Sequence, residues 1–206
     1  MSPLPMSLRA DHLVIASMVE RGAKVLDVGC GDGELLDMLQ RERGAVGRGM
    51  ELSQEGVNAC VARGLSVVRG DADRDLSDYP DAAFDVVILS KTIQAVRRPP
   101  VVLSELLRIG RCAVESFPNM GHWRQRARLA LTGRMPVAPH AHGGWSDSDT
   151  LHLCTIRDFM VLIETLGLSV DKAVPISEGE ARAPFAKSAW AANWLAEEAV
   201  FLLRRA

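Results

Sequence analysis

Short unbroken apolar runs alternate along this chain with longer stretches in which apolar residues recur every three or four positions. Residues 7–21 carry Leu8, Leu13, Ile15, Ala16 and Val19 among charges, a helical spacing. Lys24-Val25-Leu26-Asp27-Val28 is a short run of the kind that a buried parallel strand shows. Gly29 to Gly33 interrupt it, and Glu34 to Glu42 read as a helix. Residues 45–50 form a weaker strand ending at Glu51. Gln54 to Arg63 read as a helix closed by Gly64, since glycine commonly takes the left-handed position after a helix. Leu65 to Val68 and Phe84 to Leu89 are further strands, the second of them the clearest in the chain. Pro99 and Pro100 open a helix to Ile109, because a first helical turn tolerates proline. Arg111 to Phe117 read as a fifth strand, and Thr155 to Leu166 as a helix closed by Gly167. Residues 168–174 and 198–203 complete the pattern, the last strand read as antiparallel at the sheet edge.

Strands that alternate with helices imply right-handed crossovers and helices on both faces of a sheet. The expected fold is therefore α/β, a Rossmann-like, doubly wound mixed sheet of about seven strands. It is expected as a single domain over residues 1–206. Residues 119–152, rich in His, Gly, Pro, Trp and Arg, break the rhythm and read as an insertion over the carboxyl edge of the sheet.

Composition narrows the classes. With 24 basic and 26 acidic residues the formal net charge is -2, which gives no overall footprint for nucleic acid or an anionic membrane. Cys30, Cys60, Cys112 and Cys154 form no CxxC pair, so neither a zinc site nor a disulfide framework is expected, and a reducing cytoplasm fits. No basic start precedes an apolar stretch, and no apolar run is long enough to span a bilayer.

The chemistry concentrates at the first strand's end. Val25 to Leu36 comprise a strand, a glycine-rich turn and the start of a helix. In open α/β sheets, ligands sit outside the carboxyl ends of strands at the topological switch point. A dinucleotide fingerprint would place its third glycine where Glu34 stands; here that glycine comes one residue early, at Gly33. Asp27 and Asp32 would also repel a pyrophosphate, whereas they suit the ammonium and sulfonium of S-adenosylmethionine (SAM). Glu51 ends the second strand, where a carboxylate can accept from both ribose hydroxyls, with Leu52 beside it. Asp71 in Gly70-Asp71-Ala72 follows the third strand and can accept from an adenine amino group. Ser90 borders the site past the fourth strand. Any one of these carboxylates is ordinarily a solvated turn residue; their recurrence at successive strand ends favours SAM or S-adenosylhomocysteine (SAH) over NAD(P) or FAD.

At these residues the chain resembles a class I SAM-dependent methyltransferase, and more narrowly the methionine biosynthesis protein MetW family. The broad likeness rests on VLDVGCGDGELL, and the narrow one on GMELS, GDAD, FDVVILSKTIQAV, ELLRIGR, SFPNMGHW, GRMPV and LHLCT, over roughly residues 7–180. The resemblance implies a SAM-binding fold and carries cofactor contacts over to Asp27, Gly29, Gly31, Gly33, Glu51 and Asp71; Cys30, Leu52, Ala72 and Ser90, beside them in the chain or at a strand end, complete the expected cofactor-binding set. It also implies a partner, a MetX-like homoserine O-acyltransferase. Residues 137–149 depart from the more apolar run of the family, and Lys91 stands where a glutamine is expected.

The acceptor side is less distinct. Neither an Asn/Asp-Pro-Pro-Tyr box nor a Pro-Cys nucleophile is present, and no catalytic residue is assigned. Candidate bases are His122, His140, His142, His152 and Glu115. On paper His140, His142, Asp147 and Asp149 could hold a metal, but their spacing matches no standard zinc pattern, so a polar loop without metal is the reading. Arg124, Arg126, Arg128 and Arg134 read as a solvated helix face, with a docking surface for an acidic partner as the alternative. Trp145, Trp190 and Trp194 read as core packing. Two functions follow: an accessory subunit of the acyltransferase that binds SAM, or a working methyltransferase of small molecules. A base is optional for the second if positioning supplies much of the rate.

Overall fold

The computed structural model describes residues 9–135, 152–185 and 189–205. In chain order these form α1 (Ala10–Met18), β1 (Lys24–Val28), α2 (Glu34–Arg43), β2 (Val46–Glu51), α3 (Gln54–Ala62), β3 (Val67–Arg69), a 3-10 turn (Asp75–Asp78), β4 (Phe84–Ser90), α4 (Pro99–Ile109) and β5 (Gly110–Pro118). They continue with α5 (Trp123–Thr132), α6 (Ile156–Thr165), β6 (Leu168–Ser177), β7 (Glu180–Ala181), α7 (Trp190–Leu195) and β8 (Glu198–Arg205).

The strands make one mixed sheet in the order β3-β2-β1-β4-β5-β8-β6-β7. β1 pairs in parallel with both β2 and β4, so the chain's direction of winding reverses beside β1. That reversal is the switch point at which open sheets bind ligands. The doubly wound α/β expectation holds, with an eighth, two-residue strand (β7) that no pattern in the sequence announced.

β8 corrects the sequence reading. It is antiparallel as expected, yet it lies inside the sheet, bonded to β5 on one side and β6 on the other. The cause is visible in its composition. Ala199-Val200-Phe201-Leu202-Leu203 is an unbroken apolar run, and a strand covered on both faces needs one.

Side chains alternate across the sheet. Leu26, Val28, Val87, Leu89, Phe117 and Phe201 face α4 and α6, while Val25, Val86, Ile88, Val114 and Val200 face α1 and α2. On the first face the rings of Phe117, Phe159 and Phe201 pack with centroids 4.7–5.7 Å apart, a separation at which tilted and offset rings attract. A reciprocal capping box between Thr155 and Asp158 starts α6, satisfying helix-end donors that would otherwise lack partners. Asp27 shares the α1–α2 face with Val25, which decides what it meets.

Of the expected insertion, the structure describes residues 119–135 and 152, including α5. Residues 136–151, with His140, His142, Trp145, Asp147 and Asp149, lie outside the described residues. Among the described residues no helix is long and apolar enough to cross a membrane.

Candidate functional site

β1 delivers Asp27 to the sheet's carboxyl edge and the glycine loop turns the chain into α2. Gly29 and Gly33 both have left-handed backbones, at φ +71 and +81. A Cβ at Gly29 would lie 2.6 Å from the Thr92 hydroxyl, and one at Gly33 would lie 2.4 Å from a Leu65 methyl. Left-handed backbone alone costs an L-residue about 1–2 kcal/mol. Gly33→Ala is therefore expected to lower stability by roughly 1–3 kcal/mol in urea denaturation. An unchanged midpoint would show that the loop is not held in this conformation.

The loop is pinned to β2. The Gly29 and Cys30 N–H groups both donate to the Met50 carbonyl, at 2.8 and 3.1 Å. Glu51 completes the attachment: its Oε2 accepts from Gly31 N–H at 2.9 Å, and its Oε1 accepts from the N–H and hydroxyl of Ser53, both at 2.8 Å. A carboxylate oxygen accepts about two bonds. Oε1 is thus filled and Oε2 has room for one more donor, so taking two ribose hydroxyls requires Ser53 to yield. Leu52 is exposed at this rim.

Asp71 follows β3. Its Oδ1 accepts from Asp73 N–H at 2.9 Å, and its own N–H donates to Asp75 at 2.7 Å. Ala72 packs against the main core. Asp73, which the sequence did not single out, accepts from the N–H groups of Arg97 and Arg98 and so ties this turn to the start of α4. Ser90 ends β4 and shares a 3.0 Å hydrogen bond with the Ser116 hydroxyl. The strand order β3-β2-β1-β4 sets Asp71, Glu51, Asp27 and Ser90 in a row. Four neighbouring strands at about 4.8 Å spacing make an edge roughly 14 Å long.

At the β1 end of that row is a cavity of about 110 Å³ lined by Arg9, His12, Asp27, Gly29, Cys30, Gly31, Asp32, Glu34, Leu35 and Ser90. Asp27 is buried and its Oδ1 has no hydrogen-bond partner. Burial, and then the charge of Glu51, push its carboxyl up to about 7. His12, contributed by α1, is also buried with Nδ1 unpartnered. Burial lowers its titration to about 4, so the ring is neutral and its 3.8 Å approach to Glu34 is not an ion pair. Arg9 and His12 were absent from the sequence reading. The only local signal was a polar pair at the start of an apolar helix.

Other candidates fall away from chemistry. Cys30 lies 3.7 Å from Cys60, and burial raises its thiol far above the range in which a thiolate forms. Glu115 is fully buried on β5, on the face of Ala113 and Phe117, with neither oxygen partnered; burial raises its carboxyl well above the ordinary value, which favours the protonated form. It does not line the cavity. The His122 ring caps α5 by accepting from Arg124 N–H at 3.3 Å. His152 is exposed and meets the Arg97 carbonyl at 3.3 Å. Among the described residues no group of three metal-ligating side chains converges.

Two tryptophans correct the sequence reading. Trp190 is 69% exposed and Trp194 37% exposed, so neither is a core residue. Arg126 stacks 4.5 Å over Trp194. α5 itself has no buried residue, and its Leu131 is 85% exposed.

A family model described as methionine biosynthesis protein MetW matches residues 9–203. The bifunctional methionine biosynthesis protein MetXA/MetW of Rhodopirellula baltica is 33% identical over 181 residues, covering 84% of this chain and 29% of that protein. A fatty-acid O-methyltransferase of Mycolicibacterium smegmatis is 36% identical over 108 residues, covering 50% of this chain and 39% of that protein. The chain therefore spans well under half the length of these relatives. A crystal structure of a SAM-dependent methyltransferase from Thermotoga maritima, described as a possible histamine N-methyltransferase, superposes with a TM-score of 0.69 at 15% identity. That match covers 95% of this chain and 88% of the other. At such identity the likeness concerns the fold, which is that of the class I methyltransferases.

Proposed function

The chain belongs to the MetW family of methionine biosynthesis proteins, and from that premise we propose that it is a SAM-binding accessory subunit of a MetX-like homoserine O-acyltransferase. The observation that carries the ligand is the acidic row at the switch point, with a buried, unpartnered Asp27 oxygen at its end. Such an atom costs free energy until a donor reaches it. A cationic nucleoside supplies that donor; a pyrophosphate would be repelled. Glu51 and Asp71 would hold ribose and adenine, and Asp27 the cationic end of methionine, with the backbone of Gly29, Cys30, Gly31 and Gly33 lying alongside. Leu52, Ala72 and Ser90 would form the rim.

The partner rests on different support. In the Rhodopirellula relative the names MetXA and MetW are joined in one protein. Fusion holds two modules at high effective concentration, which is useful when they must touch. α5 is the surface suited to such a contact. None of its residues is buried, Trp123, Leu129 and Leu131 are exposed, and Arg124, Arg126 and Arg128 favour an acidic face opposite. SAM lies downstream of methionine, so a SAM-binding subunit could report product level to an upstream enzyme. Such coupling is reciprocal: SAM and the acyltransferase must change each other's affinity by the same factor. The four cysteines are free thiols, which suits a reducing cytoplasm.

Acyl transfer by the MetX-like enzyme, measured with and without this chain and across a SAM titration, tests the proposal. A severalfold change in rate that depends on SAM is expected. Equal rates and no association on gel filtration would overturn the accessory role. A second reading, a methyltransferase of small molecules, is favoured by the likeness to the fatty-acid O-methyltransferase. Release of SAH from SAM in the presence of cell metabolites would support it.

A further inference from the structure

We propose that the open outer edge of β6, beside α6 and α7, is a docking groove for an extended, acidic peptide segment of a partner protein, taken up as an added strand. The groove shares no residue with the cavity beside Asp27 and does not depend on the adenosyl reading.

β6 is bonded along its inner side to β8. On its outer side β7 pairs only with Ile176 and Ser177. The returning chain then donates from Arg182 N–H to the Pro175 carbonyl and from Phe185 N–H to the Ala173 carbonyl, at 2.9 and 3.0 Å. Among the described residues no strand continues this pairing along residues 168–172. A strand edge carries a row of backbone N–H and C=O groups that pair with another chain in extended form. At about 3.3 Å per residue, this stretch has room for about five residues of a guest. The opposite edge of the sheet, β3, is only three residues long.

The open edge forms one wall of a groove of about 1480 Å³ whose other walls are α6 and α7. That exceeds the roughly 300–1,000 Å³ of a small-molecule site. Leu168 and Val170 turn to the α6 face and stay half-buried. With Met160, Phe185 and the exposed Trp190 they present apolar surface to the groove. Successive side chains of a strand point to opposite faces, so every second residue of an added strand would lie over this surface. A groove between a helix and an open strand edge is the arrangement that strand addition uses, with backbone bonds for affinity and side-chain contacts for specificity. An acyl chain would cover the apolar surface but leave the edge groups unmet.

Charge selects the guest. Asp158 accepts from the N–H and hydroxyl of Thr155 within the cap of α6, and Asp171 pairs with Arg204 on β8. Arg126, Arg157 and Lys172 are left facing Glu164 in the groove. Arg126 is fixed by its stacking over Trp194 and by donating from Nε to the Gly121 carbonyl at 2.6 Å. The excess is positive, and complementary charge favours an acidic segment. A lysine and a bulge on an edge ordinarily deter pairing. Lys172 and the register shift between Val170 and Lys172 guard this edge in that way. A carboxylate opposite turns Lys172 into a favourable cross-strand pair. A second copy would bring its own Lys172 to the same edge, which weighs against self-pairing.

Fluorescence anisotropy on the full chain tests this with three labelled, capped peptides of about eight residues, long enough to span the edge. One alternates Glu and Val, one alternates Lys and Val, and the third is the Glu-Val peptide with its backbone nitrogens methylated. The Glu-Val peptide is expected to bind at least about tenfold more tightly than either of the others, since each lacks the charge or the donors that the edge requires. Its binding should slow hydrogen exchange along residues 168–173. Arg157→Glu combined with Lys172→Glu, both outside the core, should reverse the preference toward the Lys-Val peptide. Equal binding of the methylated and unmethylated peptides would overturn strand addition. An unchanged preference in the folded double variant would remove the acidic segment from this groove. Uptake of none of the peptides would overturn the site itself. Dimerisation in sedimentation that Lys172→Glu abolishes would give the groove to a second copy and overturn the proposal.

Discussion

Asp27→Asn is expected to gain stability over the wild-type chain as pH rises, by on the order of 4 kcal/mol between pH 4 and pH 8.5. Burial, helped by Glu51 and opposed by Arg9, lifts the Asp27 carboxyl from 3.8 to about 7 in the folded chain. In the unfolded chain it ionises near 3.8. Between those values the native state binds more protons than the unfolded state, so the wild type loses stability as pH rises through that window and levels off above it. Asparagine has no proton to lose. Other buried acids, Glu115 among them, are common to both chains and cancel in the difference. Urea titrations of both proteins across the range read the effect directly. A stability difference that is flat with pH would mean that Asp27 is not held protonated by its surroundings.

The same substitution should weaken SAM by about tenfold to a hundredfold or more, because the charged acceptor is gone. Wild-type uptake near pH 6.5 should release a proton, as the cation draws Asp27 into its ionised form. Calorimetry in buffers of different ionisation enthalpy would detect it, and Asp27→Asn should not show it. Greater stability with weaker binding is the trade-off expected of a site that holds an unfavourable group for its ligand.

How much of this was legible depends on how local each signal is. The glycine loop, Asp27, Glu51 and Asp71 stood out because turn chemistry and strand ends are written in consecutive residues. The helix and strand boundaries agreed within a few positions for the same reason. Arg9 and His12 did not stand out, because their relevance arises only when α1 packs beside the β1 turn, and no spacing within α1 records that. Trp190 and Trp194 were misplaced by a sound average, since large aromatics are usually buried, but α7 is a short helix at the surface with only Ala192 and Asn193 buried. β8 was misplaced because mixed sheets often end in an antiparallel strand. Its unbroken apolar run argued for the interior and deserved the greater weight. Neither the contact between Cys30 and Cys60 nor the partnerless state of Glu115 has a sequence signature at all.

Trp123→Ala combined with Leu131→Asp is expected to weaken association with the acyltransferase at least about 100-fold, while leaving folding and SAM affinity unchanged. Both residues project from α5, whose ten residues include none that is buried. Surface substitutions of this kind ordinarily move stability by no more than about 0.5 kcal/mol. No residue of α5 lines the cavity beside Asp27, so the ligand should not register the change. At an interface the outcome differs, because truncating a central aromatic or placing a carboxylate in an apolar contact typically costs about 2 kcal/mol or more each. Arg128→Glu, reversing one charge on the same helix, should slow association and reduce its salt dependence, as rim charges act mainly on encounter. Gel filtration and surface plasmon resonance with the MetX-like enzyme distinguish the outcomes. Loss of binding with SAM uptake intact separates the docking face from the ligand site and places the accessory role on α5. Unchanged association by the double variant would remove α5 from the interface while leaving the ligand site where it is.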